Sequence, residues 1–71
     1  MTTKQIATIS FTDGDSGGEA LVAVRQCGEM LALAVSLRED GDIQVLLDAE
    51  TARHFADAIR LGVESIASAS Q

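Results

Sequence analysis

The chain has 71 residues, 46% of them hydrophobic, with 11 acidic against 5 basic side chains and a formal net charge of −6. That length holds one domain, and so acidic a balance excludes nucleic acid and anionic membrane as direct ligands, because clustered Lys and Arg are what bind phosphate. One cysteine, Cys27, and one histidine, His54, exclude an intrachain disulfide and a Cys/His zinc site.

In chain order, residues 1–5 carry no apolar signal core. The expectation is a cytoplasmic protein of a bacterium or its phage. Residues 5–11 alternate loosely and are rich in Ile, Thr and Phe, which predicts a first strand. Thr12 to Gly18 reads as a loop, with three Gly and two Asp. Residues 19–26 predict a second strand, ending in a two-residue turn at Cys27-Gly28. The third strand, 29–38, holds the longest apolar run, Met30 to Val35, far short of the ~20 residues of a membrane span. A turn at Glu39-Asp40-Gly41 leads to a fourth strand over 42–47.

These turns predict pairs Val24–Leu31, Val22–Leu33 and Ala20–Val35 in the first hairpin. The second is expected to pair Leu37–Ile43, Val35–Val45 and Leu33–Leu47. Both put Leu31, Leu33, Val35 and Leu37 on one face, and agreement of two independent hairpins supports that register.

Asp48 is placed to cap a helix over 49–66, with Glu50 in the first turn where the helix dipole favours a carboxylate. Ala52, Phe55, Ala56, Ile59, Val63 and Ile66 form an apolar stripe at helical spacing, opposite Arg53, Asp57, Arg60 and Glu64. Ala67 to Gln71 is expected to fray. The fold class is therefore α+β: an antiparallel three- to four-stranded β-meander with one C-terminal amphipathic helix packed on one face.

With the helix on one face, the other carries Leu21, Ala23, Met30, Ala32 and Ala34, more apolar than a solvated sheet face. Those five residues are the expected oligomer interface, with a second copy of the chain as partner. A chain this short buries only roughly 60% of its unfolded surface, and one without disulfide or metal commonly gains stability by assembling.

Candidate chemical sites are sparse. Gly14-Asp15-Ser16-Gly17-Gly18 resembles the nucleophile loop of trypsin-like serine proteases, over those five residues alone. That family places its histidine before the serine and needs two β-barrels, whereas His54 follows Ser16 in a far shorter chain. No base is in view for Ser16, so the string reads as a Gly/Ser turn. Asp13, Asp15 and Glu19 could offer calcium ligands, but Gly17 stands at the third ligand offset and Val24 where the bidentate Glu belongs. Cys27 has Arg25 near it in sequence, offset by Glu29, and reads as a bystander. No catalytic residue, metal or cofactor is expected.

Acidic residues gather in two loops: Asp13, Asp15 and Glu19, then Glu39, Asp40 and Asp42. Two function classes follow. One is a small non-enzymatic interaction or assembly module, homo-oligomeric or bound to another protein. The other is a phage-type acidic inhibitor that imitates phosphates to bind a basic nucleic-acid-processing protein.

Overall fold

The structure is a computed structural model and describes residues 3–38 and 41–69. Four strands, β1 (Thr3–Thr12), β2 (Glu19–Cys27), β3 (Met30–Leu37) and β4 (Gly41–Asp48), form one open antiparallel sheet in the order β1-β2-β3-β4. A single helix, α1 (Ala49–Ala69), follows. The α+β meander expected from the sequence is the fold. Helix α1 continues to Ala69, so Ala67 and Ser68 belong to its last turn and not to a frayed tail.

Both predicted hairpins form, each two residues out of the expected register. In the first, Val24 pairs with Leu33, Val22 with Val35 and Ala20 with Leu37. Cys27 pairs with Met30, so the turn is centred on Gly28-Glu29. Gly28 takes φ 63°, and no described residue other than glycine has positive φ. Gly28 therefore fills the first central position of a II′-like turn and not the second, which moves every pair by two. In the second hairpin Leu37 pairs with Gly41, Val35 with Ile43 and Leu33 with Val45, and Gly41 holds φ 89°. A shift of two leaves each side chain on its face, so the expected faces survive.

The register builds one face from three almost wholly apolar rows. Ala7, Val24, Leu33 and Val45 make the first; Ile9, Val22, Val35 and Ile43 the second; Phe11, Ala20, Leu37 and Gly41 the third. The opposite face mixes Thr8, Ser10, Glu19, Arg25, Ser36, Asp42 and Gln44 with Leu21, Ala23, Met30, Ala32, Ala34 and Leu46. A bulge between Gln5 and Ala7 lets β1 change face at its start.

The helix differs from expectation in one respect: it does not lie packed across the sheet. None of its residues is buried, and it touches only β4 and β3. The cause is the junction. Asp48 is at once the last residue of β4 and the helix N-cap, its Oδ1 accepting from the Thr51 N–H at 2.8 Å. A helix doubling back over the strand it leaves requires a connection, commonly of 2–6 residues, and here there is none. The molecule is accordingly extended, 47 × 30 × 15 Å, with a radius of gyration of 14.1 Å where a compact chain of this length gives about 11 Å.

The Asp48 cap sets a measurable acid sensitivity. The Thr51 backbone N–H, then the Thr51 hydroxyl, hold the Asp48 carboxyl below its ordinary value of 3.8. A depressed folded-state pKa means the stabilisation is present above the unfolded value and is lost as pH falls through the folded one. Helicity is thus expected to decline on acidification below about pH 4. Asp48→Asn should keep the cap and lose this contribution to the pH dependence, while Asp48→Ala should lower helicity at every pH, as circular dichroism would record.

Candidate interaction surface

Among the described residues only three hydrophobic side chains are buried, the alanines Ala20, Ala23 and Ala32, and no large side chain is fully buried. All three belong to the two inner strands, with cross-strand neighbours on both sides: Phe11 and Leu37 beside Ala20, Thr8 and Ala34 beside Ala23, Arg25 and Leu46 beside Ala32. The large apolar groups lie open instead. Ile9, Phe11, Ile43 and Val45 are exposed on the apolar sheet face, with Ile43 at 65%. Phe55, Ile59 and Val63 are exposed on the helix stripe, with Ile59 at 66%. Leu61 stands alone on the opposite side of α1, as single surface leucines often do.

The five residues expected to form an interface, Leu21, Ala23, Met30, Ala32 and Ala34, do share one sheet face. Ala23 and Ala32 are already buried at 3% and 2% exposure within one chain, Leu21 and Ala34 are half-buried, and Met30 is exposed. The larger open surface is the opposite face together with the helix stripe. Sequence reasoning missed it by granting the helix its own sheet to cover. The signal that could have found it was the helix cap standing directly on the end of a strand.

The acidic loops meet at one end of the sheet. The Arg38 N–H donates to the Glu19 carbonyl at 3.2 Å, and the Arg38 guanidinium pairs with the Glu19 carboxylate at 2.7 Å. Asp13, Asp15, Glu19 and Asp42 thereby share that end; Glu39 and Asp40 lie outside the described residues. Two of these carboxylates are already engaged. Glu19 holds Arg38, an exposed pair of little energetic weight. Asp13 accepts from the Ser16 hydroxyl at 2.7 Å and from the N–H groups of Asp15 and Ser16 at 3.2 Å, which hold its carboxyl below the ordinary value, the Ser16 hydroxyl most of all.

Ser16 in turn accepts from the Gly18 N–H at 3.2 Å, so its hydroxyl closes the loop on both sides. His54 belongs to the first turns of α1, which starts at the far end of the strands. The eight residues of β3 separate the two ends by roughly 25 Å. Cys27 Sγ is half-buried, 3.9 Å from Thr3 Oγ1. Among the described residues no group of three His, Cys, Asp or Glu side chains is placed to hold a metal ion, and no helix is long and apolar enough to cross a membrane.

Comparison with protein-family models, curated proteins and solved structures finds no match.

Proposed function

We propose that this chain is a small, non-enzymatic interaction module that works as a homo-oligomer. One observation carries the reading: a sheet face of three apolar rows and an apolar helix stripe, both open in a chain whose described residues include no buried hydrophobic side chain larger than alanine. The accessible surface is 5648 Å², whereas a compact protein of 7.4 kDa exposes about 4,200 Å². The excess, about 1,400 Å² per copy, exceeds the ~800 Å² per partner of a standard stable interface. A cytoplasmic setting goes with this reading, supported by the unpaired Cys27 thiol.

The acidic-inhibitor reading draws on the convergence of Asp13, Asp15, Glu19 and Asp42 at one end of the sheet. It is the weaker of the two, since Asp13 and Glu19 spend their oxygens on Ser16 and Arg38.

Sedimentation equilibrium tests the proposal. The expected result is a species of at least twice the 7.4 kDa chain mass at micromolar concentration, with folded signal lost on dilution. A folded monomer persisting at high micromolar concentration overturns it.

A further inference from the structure

We infer that the partner is a second copy and that the two copies exchange helices, the α1 stripe of each lying on the apolar sheet face of the other. The inference rests on the self-association proposed above and adds its geometry. An apolar sheet face and an apolar helix stripe are complementary surfaces, and this chain carries one of each. The junction at Asp48 keeps them apart within a copy, because β4 passes into α1 with no loop. Across two copies the same junction is no obstacle.

Dimensions and charge agree. From Ala52 to Val63 the stripe runs about 17 Å at the helical rise, enough to span the ~14 Å between the outer strands. The three apolar rows contain no charged residue, and the one charge on that face, Lys4, stands in the end row with Gln26, Leu31 and Leu47, whereas the opposite face carries Glu19, Arg25 and Asp42. An apolar stripe therefore finds a dry surface only on the first. Reciprocal exchange also closes the assembly at two copies, since each gives one helix and receives one.

The test uses two full-length variants, Val35→Asp in the centre of the sheet face and Ile59→Asp in the centre of the stripe. Each alone should self-associate at least about 100-fold more weakly than the unaltered chain, as expected for an unpaired charge at an apolar contact. Mixed, they should pair one-to-one more tightly than either variant pairs with itself, because one of the two reciprocal contacts, the sheet of the Ile59→Asp copy on the helix of the Val35→Asp copy, is unaltered and both aspartates fall in the other. If Ile59→Asp self-associates like the unaltered chain while Val35→Asp does not, the sheets pack face to face; exchange is then overturned and self-association stands. If the unaltered chain is itself a folded monomer, both proposals fail together.

A second measurement guards against variants that do not fold. In a Cys27→Ser background, a Val35→Cys chain mixed with an Ile59→Cys chain should be joined by a short bismaleimide into a mixed dimer. Absence of the mixed product while Val35→Cys chains join one another overturns the exchange.

Discussion

Insertion of six Gly/Ser residues between Leu47 and Asp48, which leaves the cap on the helix, is expected to turn the proposed dimer into a monomer. In the native chain the strand end and the helix cap are the same residue, so α1 is denied its own sheet. A flexible loop removes that constraint and lets the helix return over the rows containing Val22, Val35 and Ile43. The returning helix then competes at the millimolar effective concentration typical of short flexible links, against a partner present at micromolar concentration. That advantage is about 1,000-fold in favour of the closed monomer. Sedimentation should give the mass of one chain, circular dichroism an unchanged helix content, and scattering a smaller radius of gyration than 14.1 Å. An insertion variant that remains a dimer with an extended protomer would show that the junction does not govern assembly.

The second large effect is expected at Ala32, and it separates fold from interface. Ala32 is 2% exposed within a single chain, between Arg25 and Leu46. A glutamate there must bury a charge or force the strands apart, at a cost of several kcal/mol. A domain of this length has roughly 4–10 kcal/mol of stability in total, so Ala32→Glu should lose most of it and unfold at low urea. Ala34, on the same face and next but one in the strand, is half-buried. Ala34→Glu should leave fold and self-association close to unchanged, because the proposed contact lies on the other face. If Ala34→Glu keeps its fold yet abolishes association, the face bearing Leu21, Ala23, Met30, Ala32 and Ala34 is the interface after all. Urea titration paired with sedimentation reads both variants.

The meander and the helix were legible because each rests on local chemistry. Period-two apolar residues marked the strands, Gly28 and Gly41 the turns, and Asp48 the cap. Register was less legible by two residues, because Cys27-Gly28 and Gly28-Glu29 are both acceptable turns and both leave the apolar face intact. What separates them is the sign of φ at Cys27, positive at the first centre of a I′ turn and negative in the strand observed, and sequence does not state it. The place of the helix was read otherwise, as packed on its own sheet. An amphipathic helix beside an apolar sheet suggests that the one covers the other, and nothing in the stripe says whose sheet it covers. The decisive residue, Asp48, was correctly taken as a cap, but its second role as the last residue of β4 was not drawn upon. The acidic groups were recognised as two loops, while their meeting at one end of the sheet follows from the pairing of β2 with β3 around Glu19 and Arg38.

An open sheet has two rims, and both are bare here: β1 on one side and β4 on the other. A rim of free N–H and C=O groups, next to a greasy face, is the template on which fibrils grow. The irregularity between Gln5 and Ala7 interrupts that template a few residues into β1, since a strand arriving alongside would fall out of step there. Lys4, before the break, adds a charge that an incoming identical rim would meet with its own. On the far side, Asp42 and Asp48 place like charges toward both ends of β4. Sideways growth is thus discouraged at each rim, which suits the closed pair proposed above better than a filament.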